Sequence, residues 1–323
     1  WTWNSGDDDA ALLSRPPGGP CLAASGDAYG VNRLTALDPD TGAVLWTRPR
    51  AYLSNLPPTL GPDGRLYGDA FDCNAINVWN PSTGAVQQHL DLPFAPTTRP
   101  TADAQGTLFV GGSRTPLDAQ SEALHAIDSR TGQEKWSVPL RGGLIAEAPV
   151  VAHHEVLCTG RDGKVYALDE ETGTPRWVFA PQTPITHSVA VSPAGTVFAV
   201  DEHDTVYALH EGQPTWTAPL QSPPPNPYGL PDLDVSQPLL AAPDGHVYAS
   251  TSGHSVRALD GQTGTQLWEH PADTFQPPTL DAQGDVLVTN SDGSVLALSP
   301  SQGDTTAPGA AVLSTLAGTL AGY

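Results

Sequence analysis

The chain has 323 residues, enough to bury a sizeable core within one large all-β domain. Its 35 acidic residues outnumber 14 basic ones, which gives a formal net charge of -21 at pH 7. A chain this acidic and without a basic cluster repels phosphate backbones and anionic membrane surfaces, which excludes general nucleic-acid binding. Without a run of about 18 apolar residues, the sequence also predicts no direct membrane insertion.

The start of the chain, Trp1-Thr2-Trp3, resembles a β-strand that belongs to no repeat unit. Because the first residue is not Met, we expect a processed or excised part of a longer exported or membrane-anchored protein. Three cysteines, Cys21, Cys73 and Cys158, show no C-x-x-C spacing, so we expect neither a zinc site nor a thioredoxin-like site. Their number permits one disulfide and one thiol, or three small buried apolar side chains.

One phrase then recurs along the chain: an alternating strand, an Asp, a Thr-Gly turn and, four residues after the glycine, a Trp. The strong copies end at Trp46, Trp136, Trp177, Trp216 and Trp268. Two degenerate copies contain Gly84 and Gly303, and the first of them has Gln88 at the Trp position. The turn glycines recur on average about every 43.5 residues, which is the period of four-stranded propeller blades.

Between these phrases lies a second pair of predicted strands, joined by a glycine-containing turn such as Pro-Asp-Gly or Ala-Gln-Gly. Each unit therefore predicts strands A and B, then strand C with the Ala-Leu-Asp phrase, then strand D with the Trp. Period-two alternation and β-branched or aromatic residues support strands throughout, and no stretch predicts an amphipathic helix.

We therefore predict an all-β fold, a single β-propeller domain over residues 1–323 made of four-stranded antiparallel blades. The seventh unit lacks strand D, so we expect residues 1–10 to supply a closing strand and a linker, which gives seven blades. Eight blades are the alternative if residues 310–320 form strands of their own. With eight blades, residues 304–323 are extra strands. With seven blades, they are a C-terminal tail.

The ALD-x-x-TG-x-x-x-W phrase resembles the hallmark of the pyrroloquinoline quinone (PQQ)-like β-propeller repeat family, and the resemblance covers essentially the whole chain. Members of that family include quinoprotein dehydrogenases, the outer-membrane assembly scaffold BamB and extracytoplasmic propeller domains of bacterial membrane Ser/Thr kinases. Because these members share a fold but differ in activity, the resemblance predicts the fold more narrowly than the function.

The dehydrogenase members hold the quinone over Ca²⁺ with Glu, Asn and Asp ligands, and many of them have two adjacent cysteines. This chain has no adjacent cysteines, and no Glu, Asn and Asp set in it can be matched to those ligands residue by residue. We therefore expect no catalytic residues and no metal ligands in this domain, and we leave calcium open.

The resemblance implies a non-catalytic binding module outside the cytoplasm. Our first hypothesis is the extracytoplasmic sensor domain of a bacterial membrane Ser/Thr kinase, with pyrroloquinoline quinone as its candidate ligand. The alternative is a BamB-like scaffold for outer-membrane protein assembly, and the third hypothesis is a quinoprotein dehydrogenase.

Strand order predicts where a small anionic ligand or a protein partner binds. The D–A and B–C loops lie on one face, and they hold the length variation, over Gly111–Ala123 and Leu220–Gln237. Strand A lines the central channel, so we expect six polar residues at its mouth: Asn55, Arg99, Glu147, His187, Gln237 and Gln276. Arg99 suits a ligand carboxylate and His187 suits a donor, whereas a hydrated polar channel is the alternative.

Three other polar clusters carry weaker signals. His153-His154 lies at a predicted A–B turn, and we expect it to be structural. The runs Asp7–Asp9 and Asp201–Asp204 contain oxygen ligands of the kind calcium prefers, but their spacing matches no known calcium loop, which favours solvated charge.

Overall fold

The structure is a computed structural model that describes residues 9–14, 19–26, 32–49, 58–69, 74–115, 121–140, 142–145, 147–220, 238–251, 255–272, 274, 277–280, 284–289 and 295–298. Twenty-eight β-strands lie within these ranges and no α-helix does. In the same ranges there is consequently no helix with the length and apolar character needed to cross a membrane. The predicted all-β class is therefore confirmed.

The strands form seven sheets over the described ranges, numbered here in chain order. Sheet 1 contains β1 (Asp9–Ser14), β2 (Cys21–Gly26), β3 (Asn32–Leu37) and β4 (Val44–Pro49). Sheet 2 contains β5 (Thr59–Leu60), β6 (Leu66–Asp69), β7 (Ala75–Trp79) and β8 (Val86–Asp91). Sheet 3 contains β9 (Ala95–Pro96), β10 (Thr101–Ala102), β11 (Thr107–Ser113), β12 (Glu122–Asp128) and β13 (Glu134–Pro139).

The remaining sheets follow the same order of short and long strands. Sheet 4 contains β14 (Val150–Ala152), β15 (Glu155–Thr159), β16 (Val165–Asp169) and β17 (Pro175–Phe179). Sheet 5 contains β18 (Ala190–Val191), β19 (Val197–Val200), β20 (Thr205–His210) and β21 (Gln213–Pro219). Sheet 6 contains β22 (Leu240–Ala241), β23 (His246–Thr251), β24 (Ser255–Asp260) and β25 (Gln266–Pro271). Sheet 7 contains β26 (Thr279–Leu280), β27 (Val286–Thr289) and β28 (Val295–Leu298).

Each sheet is an antiparallel meander in which consecutive strands pair, and β9 is an addition that pairs with β11. Sheet 7 has three strands in the described part of the chain. The predicted closing strand at Trp1-Thr2-Trp3 and the tail at 304–323 lie outside the described residues. The number of blades therefore stays a prediction.

The sheets meet along their first strands. β1 contacts β5, β10 contacts β14, β14 contacts β18, and β18 contacts β22. Strands at the other end of each meander have exposed residues, as in β4, where Val44 and Leu45 are more than half exposed. The first strands therefore form the inner wall of the molecule and the fourth strands form its rim.

The hydrophobic core is divided into clusters that lie between neighbouring sheets. One cluster joins Ile76 and Leu90 of sheet 2 to Leu108 and Ile127 of sheet 3. Equivalent clusters join sheets 1 and 2, 3 and 4, 4 and 5, 5 and 6, and 6 and 7. No sheet has a core of its own, so each one is stabilised by burial against its neighbours.

The Thr-Gly turns are held by their own side chains. Asp38 Oδ1 accepts the Asp40 N–H at 3.0 Å, the Thr41 N–H at 2.8 Å and the Thr41 hydroxyl at 2.8 Å. The Thr41 hydroxyl, followed by its N–H, lowers the pKa of Asp38. The recurring Asp and Thr therefore have a structural role in the turn.

At four boundaries of the described chain the recurring Trp joins one sheet to the next. Trp46 Nε1 donates to the Pro81 carbonyl at 3.0 Å, and its ring lies against Gly84 in the turn of sheet 2. A Cβ on Gly84 would lie 2.6 Å from that ring, so the contact requires a glycine. The same contact pairs Trp136 with Gly173, Trp177 with Gly212, and Trp216 with Gly264.

Sheets 2 and 3 meet differently because Gln88 replaces the Trp. Gln88 Nε2 donates to the Arg130 carbonyl in the turn of sheet 3, so a donor to that turn is kept. Gly132 lies against the backbone of Asp91 instead of an indole ring. The boundary between sheets 2 and 3 is therefore packed differently from the boundaries that have the Trp–Gly contact.

Between sheets 2 and 3 the His125 side chain is completely buried. Its ring stacks on Phe94 at a centroid distance of 3.6 Å, and its Nδ1 lies 2.9 Å from Glu134 Oε2. Arg114 donates to both oxygens of the same carboxylate, at 2.8 and 2.7 Å. Burial lowers the pKa of His125 and outweighs the opposing effect of Glu134, so the buried ring is favoured in its neutral form.

We expect Gly264→Ala to destabilise the protein by about 1–3 kcal/mol more than Gly64→Ala. Both glycines have positive φ, 73° and 76°, but an added Cβ at Gly264 would lie 2.5 Å from the Trp216 ring, while one at Gly64 meets nothing within 4 Å. The free energies of unfolding in urea measure the difference. Equal losses for the two variants would contradict the role of the Trp–Gly contact.

We expect His125 to make the protein less stable as the pH falls below about 6.5, the ordinary pKa of histidine. Because the folded state lowers the pKa of His125, the unfolded chain takes up a proton that the folded chain does not, at most about 1.4 kcal/mol per pH unit. His125→Gln should flatten the stability curve between pH 7 and 5, whereas Gln at the exposed His210 should not. Parallel curves for His125→Gln and the wild type would contradict this expectation.

Candidate functional site

The candidate site lies where the chain enters the first strands of sheets 3, 4 and 5. The first paired residues of those strands are Thr101, Val150 and Ala190. Counting back three residues from each gives, in the same order, Thr98, Glu147 and His187. These residues therefore occupy equivalent positions at the end of the inner wall, on the face that carries the D–A and B–C loops.

Three of the six residues predicted at the channel mouth lie within the described chain: Arg99, Glu147 and His187. Asn55, Gln237 and Gln276 lie outside the described residues, as does nearly all of the predicted variable loop over Leu220–Gln237. The other variable segment, Gly111–Ala123, is described except for 116–120.

Glu147 and His187 form a direct hydrogen bond between sheets 4 and 5. The Glu147 Oε1 atom lies 2.8 Å from His187 Nδ1, and the backbone N–H of Ser188 donates to Glu147 Oε2. The two side chains are 23% and 16% exposed, so their contact is shielded from most solvent. The Thr159 hydroxyl of sheet 4 also donates to the His187 carbonyl at 2.8 Å, which fixes the segment that contains His187 against sheet 4.

The environment keeps the Glu147 carboxylate ionised. Burial raises the pKa of Glu147, but the hydrogen bonds from His187 and Ser188 together outweigh burial and lower the pKa. A carboxylate accepts at both contacts, so Nδ1 of His187 carries the proton, and the ring is fixed with Nε2 on its opposite side.

A small cavity lies behind this pair. Residues of three entering segments line it: Thr98 from sheet 3, Glu147 and Pro149 from sheet 4, and Ser188 from sheet 5. Its free volume of about 10 Å³ is room for a single water molecule and not for a larger ligand. The cavity shows that the three segments converge.

Arg99 follows Thr98 directly and is half-buried. The Thr98 hydroxyl accepts the Gly111 N–H at 2.8 Å and donates to the Arg99 carbonyl at 3.1 Å, which fixes the backbone at this point. No hydrogen bond or ion pair joins the Arg99 guanidinium to another residue in the described part of the chain. Its charge is therefore available to a ligand, whereas Arg114 is committed to Glu134.

Sequence reasoning missed two residues that the geometry places at this site, Ser188 and Cys158, whereas Thr98 shares the register of Glu147 and His187 when the first strands are aligned. Ser188 is a neighbour of a predicted residue, so only its backbone contact distinguishes it. Cys158 lines the cavity as a buried free thiol, and burial raises its pKa to about 12, so it is un-ionised near neutral pH. The sequence left open whether Cys158 forms a disulfide. Cys21, the other described cysteine, is also free, so no disulfide joins the two described cysteines.

The weaker clusters have structural positions. His153 and His154 are exposed and form the turn between β14 and β15, both with positive φ. Asp201 Oδ1 accepts the N–H groups of His203 and Thr205, and Oδ2 accepts the hydroxyl of Tyr207, so this carboxylate holds a B–C turn. Over the described ranges, no group of three His, Cys, Asp or Glu side chains is arranged to hold a metal ion. Of Asp7–Asp9, Asp9 is described, as the first residue of β1.

Comparison with known proteins shows which family this chain resembles. The family model described as "Outer membrane protein assembly factor BamB" matches residues 30–187 and 161–310. A curated protein of that name from Shewanella oneidensis is 26% identical over 188 residues, which cover 54% of this chain and 44% of the relative. One from Yersinia pestis is 24% identical over 214 residues, which cover 64% of this chain and 53% of the relative.

The matched region therefore spans about half the length of these curated relatives. Among solved structures, the crystal structure of BamB from Moraxella catarrhalis matches with a TM-score of 0.54 and 19% identity. The match covers 75% of this chain and 71% of that chain. At this identity the likeness shows the fold, and the predicted propeller class is confirmed.

We expect Glu147→Gln to lower the free energy of unfolding at pH 7 by about 1–2 kcal/mol, because an amide oxygen is a weaker acceptor for His187 and Ser188. Since the folded state lowers the pKa of Glu147, the carboxylate contributes stability that is lost as the pH falls below about 4.5. The difference between wild type and variant should therefore shrink between pH 5 and 3. Glu171→Gln, at an exposed turn, is the control, and a gap that does not change with pH would contradict the assignment.

Proposed function

Because the chain belongs to the family of the outer membrane protein assembly factor BamB, we propose that it is a protein-binding scaffold that acts in outer-membrane protein assembly. The observation that carries this proposal is the family match, whose two segments together reach from residue 30 to residue 310. The predicted BamB-like alternative is thus better supported than the kinase-sensor hypothesis, since the relatives compared above are assembly factors.

The proposed binding surface is the face that carries the D–A and B–C loops. Sheet 3 extends into this face, where β11 and β12 are seven residues long and β9 adds a further pairing to β11. Several side chains on this face are exposed, including Gln182 and Glu202. On the opposite face the side chains of the Thr-Gly turns are engaged in holding the turns, which leaves less of that face free for a partner.

The name shared by the relatives also supports a place outside the cytoplasm, because the outer membrane is assembled from the periplasmic side. We accordingly assign this domain a binding role and no catalytic role, in line with the expectation from the sequence. The kinase-sensor function and the binding of pyrroloquinoline quinone stay predictions, as do the identities of any protein partners.

The proposal predicts that the chain, carrying an affinity tag in its own bacterium, co-purifies with components of the outer-membrane protein assembly machinery identified by mass spectrometry. We expect the double variant Gln182→Arg with Glu202→Arg to reduce this recovery at least about fivefold, because two new charges disturb the desolvated centre of an interface. The matched control carries the same substitutions on the opposite face, Gln262→Arg with Glu171→Arg, and should recover the components normally.

Two outcomes would count against the proposal. If the wild-type chain recovers no assembly component above an untagged control, the scaffold function is wrong. If it recovers them but both double variants behave like the wild type, the binding face is wrong and the scaffold function stands. Circular dichroism and thermal melts of each variant confirm that the propeller is intact.

A further inference from the structure

Among the described residues, every large apolar side chain that is exposed lies on an outer strand. The outer strands are the fourth strands of the sheets, β4, β8, β13, β17, β21 and β25. The exposed side chains on them are Val44, Leu45, Val86, Val178 and Leu267. An outer strand also has one edge that pairs with no strand of its own sheet, so its N–H and C=O groups there can pair with a strand from another chain.

Most of the outer strands in the described chain carry a proline three residues after the recurring Trp. The prolines are Pro49, Pro139, Pro219 and Pro271. Each lies opposite a residue of the third strand, as Pro139 lies opposite Ala123. Because proline has no N–H, it fits an edge strand where its nitrogen faces away from the sheet, and it removes a donor from the open edge. The edges of β4, β13, β21 and β25 are therefore protected against pairing with another strand.

The strands β8 and β17 lack this proline. In β8 the position is taken by Asp91, whose side chain is 92% exposed, and His89 lies 3.4 Å from its carboxylate. Charged side chains also disfavour pairing at an edge. In β17 the position is taken by Ala180, which is exposed and uncharged. Among the outer strands of the described chain, β17 is therefore the one that neither a proline nor a charge protects at this position.

The open edge of β17 presents the backbone of two residues. Alternate residues of an antiparallel strand direct their N–H and C=O groups to opposite sides, so the residue two before the proline position also faces outward. In β17 these residues are Val178, which lies opposite Tyr166, and Ala180. In the part of the chain that the structure describes, neither makes a backbone hydrogen bond outside its own sheet. Since Val178 is also 45% exposed, this edge offers both hydrogen-bonding groups and apolar surface.

The charges beside β17 indicate which kind of strand fits its edge. Arg176, the charged residue of β17, lies 2.7 Å from Asp169 and 3.6 Å from Glu155. Glu171 lies exposed in the same Thr-Gly turn. This group of three carboxylates and one guanidinium is negative at pH 7, so it favours a basic residue in a partner.

We propose that β17 pairs with an extended segment of a second protein, which adds a strand to the outer edge of sheet 4. The segment has alternating apolar residues, which contact Val178, and a lysine or arginine near the Thr-Gly turn. In this mode of recognition the main-chain hydrogen bonds supply affinity and the side chains supply specificity. The inference does not rest on the proposed scaffold function, because the rim is a different surface from the loop face and each can be disproved without the other.

The probe is a fluorescein-labelled peptide of alternating valine and threonine with a lysine at each end, and fluorescence anisotropy measures its binding to the full chain. We expect it to bind, and Ala180→Pro to weaken binding at least about tenfold, because the proline removes an outward N–H donor. Other outer strands already have proline at this position, so the melting temperature should not fall. With glutamate at each end, the peptide should bind at least about threefold more weakly in ~20 mM salt, and the difference should close at about 0.5 M salt.

Pro219→Ala is the matched variant that should open an edge instead of closing one. It lies at the equivalent position of β21, an outer strand without charged residues, and in the Ala180→Pro background it should restore binding. If it does not restore binding, the protective role assigned to the prolines is wrong.

Four results would overturn the proposal. The first is a wild-type chain that does not bind the peptide, and the second is an Ala180→Pro variant that binds it as tightly as the wild type. The third is equal binding of a peptide with prolines in place of its threonines, because that peptide cannot pair as a strand. The fourth is a wild-type dimer in sedimentation that Ala180→Pro abolishes while the peptide does not bind, because the edge then joins two copies of this chain.

Discussion

The contact between a tryptophan and the turn glycine of the next sheet determines how the sheets are arranged. In the pair Trp46 and Gly84, the ring fills the space that a side chain would occupy, and the indole N–H satisfies a carbonyl of the same turn. The contact therefore sets both the distance and the direction between two sheets. Since it recurs at four boundaries of the described chain, it also decides where the segments that enter the inner strands meet.

The boundary between sheets 2 and 3 shows what replaces this contact. Gln88 keeps a donor to the turn of sheet 3 but cannot fill the volume of an indole. The same boundary has the buried stack of Phe94 on His125, so aromatic packing is supplied from a different part of the two sheets. Its consequence is a completely buried histidine at this boundary.

The strands and turns are predictable from the sequence because they depend on local features, namely alternation, a positive-φ glycine and an Asp that bonds its own turn. Contacts between sheets are less predictable. Register alone brings Glu147 and His187 to equivalent positions, but the bond from Ser188 to Glu147 depends on how two segments approach each other. The buried hydroxyls of Thr97 and Thr186, which have no hydrogen-bond partner, likewise carry no sequence signal, because such burial is visible only in three dimensions.

The acidic composition has a different meaning once the carboxylates are placed. Asp38, Asp128 and Asp260 each accept hydrogen bonds from the backbone of their own turn, and these bonds contribute to a lowered pKa in every case. Part of the negative charge is thus required by the repeat and by itself indicates no basic partner. The informative charges are the ones that the repeat does not require. Arg99 is such a charge, because neither the turn nor the Trp–Gly contact needs a cation there.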